Sequence, residues 1–471
     1  MDRKIKLGII IPILQLVISI IFLVLIFKLD IIPNKYLIPM VIVLFALEVL
    51  TLYTHLSNKG EKLGKYIAVF LCIIMVFGSY YLYKTQVVLK DISGVNIKVN
   101  DISVIVMKED PAQSIEELTD YLFGIQKTID RENGDKALHK IREQLGTEVK
   151  VLTFNDFDTQ VGALYNGEIG AILINEAYRD TIVETFKDFN DRTRVIESYR
   201  MESLLELATS NIKVIEDSFN VYISGIDTYG PIRNTGRSDV NIIATINPKS
   251  KYILLTSTPR DYYLPLPISR GMEDKLTHAG IYGIDVSIGT LEELYDIDID
   301  YYVRVNFTTL EEIIDALGGI TVYSQYEFSS GGYNFKKGYN DLNGKETLAF
   351  SRERYSFVSG DNQRGKNQME VIKGMIKKAT SPAIIIKYNN ILNSISGTFE
   401  TNMSLEEITS LIKMQINDMS PWKVETNSVV GEGARKSTYS YKSKPLYVMI
   451  PNVDSVKTAK EKINKAMEMG R

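Results

Sequence analysis

The sequence predicts an α/β protein in two outer domains, a small one and a larger one, carried on three N-terminal transmembrane helices. Three observations predict it. The first ninety residues hold three apolar runs of membrane-crossing length. From Ile102 onward, strand-like segments alternate with helix-like ones. Arginine and aspartate then gather at the ends of strand-like runs in the second half of the chain, which is where α/β sheets collect their ligands.

The anchor comes first, as residues 1–84. Leu7–Phe27 and Tyr66–Tyr83 carry no charge, and Leu37–Thr54 carries only Glu48. Each run is close to the ~20 residues that cross a ~30 Å hydrocarbon core as a helix. No small-residue cleavage site closes the first run, so it reads as a span rather than a removed signal. Arg3, Lys4 and Lys6 precede span one, and Lys59, Lys62 and Lys65 lie between spans two and three, against only Lys28 and Lys35 between one and two. That bias puts the N-terminus inside the cell and everything after Lys84 outside. Glu48 reads as a carboxylate reaching back to the interface.

Composition removes several classes of chemistry. The net charge of −4 argues against a nucleic-acid partner. The single cysteine, Cys72, sits in an apolar run, so there is no internal disulfide and no cysteine-based zinc site. Three histidines, His55, His139 and His278, leave no material for a histidine-rich metal centre.

Residues 98–205 read as the small α/β domain. Ile102–Met107, Val149–Phe154, Ala171–Asn175 and Arg194–Tyr199 are its strands. Asp135–Leu145, with Asp135 at the N-cap, and Tyr178–Phe189 are its helices. Asn155, Asp156 and Asp158 read as a helix-capping cluster in preference to a metal loop. The larger domain spans 215–471, with a motif-bearing core at 218–378. Phe219–Ile226 is a strand, Asn241–Asn247 and Tyr252–Thr258 form a pair joined by a turn at Pro248–Lys251, and Tyr301–Asn306 and Ile320–Tyr323 are strands. Ser287–Tyr295, Thr309–Leu317, Asn343–Phe350, Gln363–Lys378 and Val453–Met467 are helices, and the tail has a β-like stretch near Trp422–Val430.

Four segments of that domain carry chemistry: Gly225-Ile226-Asp227, Thr235-Gly236-Arg237-Ser238-Asp239, Ser257-Thr258-Pro259-Arg260-Asp261, and Phe350-Ser351-Arg352-Glu353-Arg354 followed by Gly360-Asp361-Asn362-Gln363-Arg364 and Gln368. Arg237 and Arg260 sit beside strand ends. Arg352 and Arg354 point the same way if locally extended, and Arg364 and Gln368 share a helix face. Five arginines meeting at one place repel each other unless a highly charged anion lies between them, and the guanidinium fork suits a pyrophosphate. Asp227 and Asp239 can then hold a divalent cation, magnesium (or manganese), that keeps several waters and bridges phosphate oxygens. Asp239 could instead take a proton from an attacking hydroxyl. His278, in Lys275-Leu276-Thr277-His278-Ala279-Gly280, reads as a structural hydrogen-bonding histidine. The alternatives are that a lone arginine or aspartate is a solvated surface residue, that Arg352 and Arg354 pair with nearby carboxylates in a salt-bridge network, and that Asp227 only caps a turn.

In combination, these motifs resemble the LytR-CpsA-Psr family, strongly over about Ser218–Lys378 and more loosely in the tail. The three spans and the extra small domain are similar to its streptococcal capsule branch, where that domain is an accessory module. The resemblance implies an αβα-layered domain with a mixed sheet and an apolar tunnel beneath it for a polyprenyl chain. It places head-group contacts at Arg237, Arg260, Arg352, Arg354, Arg364, Gln368 and, by motif, Lys275. It makes Arg237, Asp239 and Arg260 catalytic, with magnesium on Asp227 and Asp239. The implied activity is transfer of a glycan, here capsular polysaccharide, from an undecaprenyl-pyrophosphate carrier to peptidoglycan. A polyprenyl-pyrophosphate sensor that regulates capsule synthesis through membrane partners, and a lipid-pyrophosphate hydrolase, are the rival readings.

Overall fold

In a computed structural model of the chain, the described residues are 3–56, 61–207, 212–226, 232, 234–358, 360–395, 399–442 and 444–470. Helices α1 (Arg3–Leu29), α2 (Asn34–Leu56) and α3 (Glu61–Ile92) pack together and are long and apolar enough to cross a membrane. Glu48 does not reach back to an interface as expected. It accepts a hydrogen bond from the Ser19 hydroxyl of α1 at 2.9 Å, because a carboxylate between apolar helices needs a donor from a neighbour.

Helix α3 continues beyond the predicted Tyr83, and this extension docks the anchor onto the outer region. Leu89 and Ile92 bury with Leu29 against Phe399, Leu405 and Ile408. Asp30, between α1 and α2, pairs with Lys413 at 2.6 Å, and the Thr85 and Tyr388 hydroxyls are hydrogen-bonded. The loop between the first two spans therefore lies on the same side as the outer domains.

The small outer unit comprises β1 (Ile97–Met107), β2 (Leu122–Gln126), α4 (Arg131–Leu145), β3 (Lys150–Phe154), α5 (Phe157–Tyr165), β4 (Ala171–Asn175), α6 (Arg179–Thr185), α7 (Phe189–Arg192) and β5 (Thr193–Leu204). Its sheet runs β3-β2-β4-β1-β5, parallel across the first three strands and antiparallel across the last two. Alternating residues of the strands feed two apolar layers: Val104 and Leu173 pack toward α4, and Ile105, Ile172 and Ile174 toward α5 and α6.

Two helix expectations here need correction. Helix α4 starts a turn before Asp135, after Asp130 in a left-handed conformation, and Asp135 instead pairs with Arg131 at 2.7 Å on the surface. The predicted Tyr178–Phe189 helix is broken: a 3-10 turn ends at Tyr178, α6 stops at Thr185, and the Phe186 ring turns onto Tyr165. Asp156 does cap a helix, accepting from the Thr159 N–H at 2.8 Å.

The larger unit comprises β6 (Phe219–Ile226), β7 (Ser238–Asn247), β8 (Tyr252–Ser257), β9 (Tyr263–Pro265), β10 (Glu273–Lys275), α8 (Leu276–Tyr282), α9 (Ile284–Tyr295), β11 (Tyr301–Asn306), α10 (Phe307–Leu317), β12 (Ile320–Ser324), β13 (Phe328–Ser330), β14 (Tyr333–Phe335), β15 (Gly338–Leu342), α11 (Gly344–Arg352), α12 (Asp361–Ala379), α13 (Ala383–Ile395), β16 (Phe399–Thr401), α14 (Leu405–Asp418), β17 (Lys423–Ser428), β18 (Gly431–Lys436), β19 (Leu446–Pro451) and α15 (Val453–Glu468). Its central sheet is mixed, in the order β16-β11-β6-β7-β8-β17, with β6 parallel to β11 and β8 parallel to β17. Val221, Ile242, Ala244, Ile253 and Leu255 face α10–α13. Tyr222, Ile243 and Leu254 face α8, α9 and α15. The unit is thus three-layered, α/β/α. The β18–β19 hairpin was not foreseen, because its short, half-exposed segments lack an apolar alternation.

Candidate functional site

The chemistry-bearing motifs meet at one end of this sheet. Asp239 lies one residue into β7, and Arg260 and Asp261 follow β8. Lys275 ends β10, and Arg364 and Gln368 lie in the first two turns of α12. Two glycines allow the approach. A Cβ on Gly365 would lie 2.7 Å from the Ser257 hydroxyl, so only glycine lets α12 sit against the end of β8. A Cβ on Gly280 would lie 2.5 Å from the Gly236 carbonyl, so α8 likewise closes on the loop that bears Arg237.

Arg260 is the hub. Its Nη1 donates to Asp239 Oδ1 at 2.9 Å, and its Nε lies 3.8 Å from Asp261 and 4.0 Å from Asp361. Lys275 pairs with Asp261 at 2.5 Å and Arg364 with Asp361 at 2.5 Å. Arg237 pairs with Glu184, a residue of α6 in the small unit, at 2.7 Å. Asp239, Arg260, Asp361, Arg364 and Gln368 line a shared cavity of about 10 Å3, room for about one water.

The expectation that an anion must separate the arginines needs revision. Four carboxylates, Asp239, Asp261, Asp361 and Glu184, already balance Arg237, Arg260, Lys275 and Arg364. Burial works against the Asp239 carboxylate, yet the guanidiniums of Arg260, Arg237 and Arg364 outweigh it and hold its pKa below the usual range. Asp239 is therefore a carboxylate at neutral pH. The Arg364–Asp361 pair differs: burial lowers the Arg364 pKa and raises that of Asp361, so desolvation costs both partners.

The Lys275–Gly280 segment supports the cluster throughout. The Thr277 hydroxyl donates to Asp239 Oδ1 at 3.1 Å, and the Thr277 N–H donates to the Arg260 carbonyl at 2.8 Å. His278 is fully buried, with its Nδ1 2.7 Å from Asp274, and Asp274 also accepts from the Ser440 N–H. Burial holds His278 below its ordinary pKa. Its role is structural, as the sequence suggested.

The remaining expected contacts divide. Arg354 stacks on Tyr355 with its guanidinium 4.7 Å from the ring, near enough to Arg364 to depress its pKa. Arg352 is the exposed last residue of α11, so it and Arg354 do not lie side by side on an extended segment. Gln368 is buried and donates to the Ser351 carbonyl at 3.4 Å. Asp227 lies outside the described residues. Both hydrogen bonds that Asp239 accepts from described residues fall on Oδ1, which leaves Oδ2 for a hard cation. No group of three metal-ligating side chains forms among the described residues, so such an ion would draw most ligands from phosphate and water. The sequence reading gave Asp261 and Asp361 no role although both stand in the quoted motifs. Glu184 gave no signal, since only tertiary structure brings it to Arg237.

Comparison with known proteins places the chain in a family. The LytR_cpsA_psr family model matches residues 182–461. A polyisoprenyl-teichoic acid–peptidoglycan teichoic acid transferase TagU of Enterococcus faecalis is 35% identical over 229 residues, covering 48% of this chain and 74% of that protein. TagU of Bacillus subtilis is 36% identical over 194 residues, covering 41% of this chain and 62% of that protein. Among solved structures, B. subtilis TagV is 28% identical with a TM-score of 0.46, covering 54% of this chain and 99% of that chain. With more than half of its length matched by the family model, this chain belongs to the LytR_cpsA_psr family.

Proposed function

We propose that this chain is a membrane-anchored transferase that moves a glycopolymer from a polyprenyl-pyrophosphate carrier onto peptidoglycan outside the cell, and that the glycopolymer is a capsular polysaccharide. The convergence of Arg237, Arg260, Lys275, Arg364 and Gln368 around the ionised Asp239 carries this reading. The teichoic acid transferases related to it supply the reaction class.

In this reading the pyrophosphate enters at the first turn of α12 and takes Arg364 from Asp361, the pair whose burial already costs both partners. The carrier chain runs into the apolar layer between the sheet and α10–α13, which borders the outer end of α3 through α13. An acceptor hydroxyl attacks the sugar-proximal phosphorus, its proton passes to Asp239, and polyprenyl phosphate departs against the guanidiniums of Arg260 and Arg237. In the alternative role for Asp239, holding magnesium (or manganese) together with Asp227, the ion would supply further positive charge at the phosphates and the hydroxyl proton would pass to solvent water.

The test supplies a defined lipid-linked glycan to the protein in a bilayer, with and without a peptidoglycan acceptor. Acceptor-dependent transfer that Arg260→Ala and Arg364→Ala abolish is the expected result. Release of glycan with water alone as acceptor points to a hydrolase, and full transfer by either variant overturns the assignment.

A further inference from the structure

A crevice lies between the two outer units, away from the arginine cluster. Its volume is about 520 Å3, within the range of small-ligand sites. One wall is built by Asn100, Asp130, Asn133 and Tyr178 of the small unit, and the other by Tyr282 and Ile288 of the larger one. A recess of about 20 Å3, sharing Asp130 and Tyr178 with the crevice, reaches the ends of β2 and β4 at Gln126 and Asn175. That is room for one water, or one hydroxyl group.

Carboxyl ends of parallel strands are where such sheets bind ligands, and the polar groups here are prepared for one. Gln160 fixes the orientation of Gln126: its Nε2 donates to the carbonyls of Gly124 and Leu173, so its Oε1 receives the Gln126 amide N–H at 2.5 Å. The Gln126 Oε1 is thereby left buried with no donor among the described residues. Asp130 beside it holds a left-handed backbone, φ 50°, which aspartate tolerates better than most residues.

The crevice's charge decides the ligand class. Its lysines are already matched, Lys98 by Asp285 at 2.9 Å and Lys136 by Glu132 at 2.6 Å. Asp130, Glu206 and Glu292 remain, so the lining is net acidic and disfavours phosphate. Carboxylates, carboxamides and tyrosines beside apolar side chains are the donors, acceptors and faces that suit sugar hydroxyls and pyranose rings. We infer that this crevice is a saccharide-binding site, with a sugar hydroxyl seated against Gln126 and Asp130.

The site is wired to the loop that bears Arg237. Asn175 Nδ2 donates to Asp130 at 2.7 Å and to Asn100 Oδ1 at 2.9 Å, and the Thr235 hydroxyl donates to the same Asn100 oxygen at 2.6 Å. Thr235 stands two residues before Arg237. A bound saccharide can thus hold that loop in place; this consequence, unlike the binding itself, rests on the transferase reading.

The experiment measures calorimetric binding of peptide-free peptidoglycan tetrasaccharide, of the repeat-unit oligosaccharide of the glycopolymer, and of free stem peptide to the full chain in phospholipid nanodiscs. One of the two saccharides is expected to bind, the first marking an acceptor-side site and the second a donor-side site. Asn133→Trp and Lys136→Trp, at two residues of α4 that line the crevice, should each weaken binding by at least about tenfold, while Arg260→Ala leaves it unchanged. Binding needs no turnover, so failure here is separable from failure of the transferase assignment. Absence of saccharide binding, binding that both tryptophan variants retain, or binding of the stem peptide alone would overturn the inference.

Discussion

Both outer units place polar side chains at the ends of a sheet, yet the two crevices are opposites. At the larger sheet, four cations and four carboxylates close on each other around a cavity of about 10 Å3. Between the units, the crevice is some fifty times larger, its lysines are matched and the rest of its lining is amide, carboxylate, aromatic and aliphatic. A dense set of charges must be internally neutral to be buried at all, so it opens only to a ligand that replaces one sign. A sparse polar lining can stay open because each group needs only one partner. The first arrangement selects charge, and the second selects shape and hydroxyl pattern.

The largest expected effect breaks the first crevice alone. Arg260→Ala removes the hub that three carboxylates surround, and transfer should fall by about 10²–10³-fold, the cost of losing one charge-stabilising donor. Radiolabelled glycan transfer measures it, with circular dichroism as the control for folding. Thr235→Val sharpens the comparison by cutting the link between the crevices, since it removes the hydroxyl that donates to Asn100. Transfer should drop by about threefold to tenfold, with head-group affinity changing in step. Glu184→Gln frees Arg237 from its partner in the small unit. Pyrophosphate affinity should rise by about twofold to fivefold, as befits a pair whose carboxylate is half-exposed, and the gain should shrink at high salt.

The smallest effect is one of stability. Burial pushes Asp300, beside the start of β11, up to about 6 from an ordinary 3.8. The folded state therefore holds a proton that the unfolded chain releases as pH rises from about 4 to about 6, and stability declines across that window. Asp300→Asn keeps an acceptor for the Asn220 N–H, found at 2.9 Å, and loses the titration. Its Tm should exceed that of the unmodified chain above about pH 6 and approach it near pH 4. A Tm difference that is constant over this range would exclude the mechanism.

Much of this was legible in the chain. The three spans follow from length and hydropathy, because a helix crossing ~30 Å of hydrocarbon needs ~20 apolar residues whatever its neighbours. The β7–β8 pair was readable from its turn, and α15 from its helical period. The segments bearing Arg237 and Arg260 stood out by their strand-end positions and Arg364 by its helix face shared with Gln368, and those side chains do share one site. Arg352 shows the limit: its neighbours suggested an extended segment, but the capping box at Asn343 and Glu346 starts a helix that runs through it.

What the sequence by itself determined is the anchor, the alternating strands and helices, and the identity of the charged residues, since each depends on local composition and period. Only the tertiary structure decided how those charges are balanced. The pairing of Arg237 with Glu184 joins residues 53 positions apart, and the chain from Asp130 through Asn175 and Asn100 to Thr235 crosses from one unit to the other. Electrostatic and hydrogen-bond partners are set by distance in space, which no local pattern encodes.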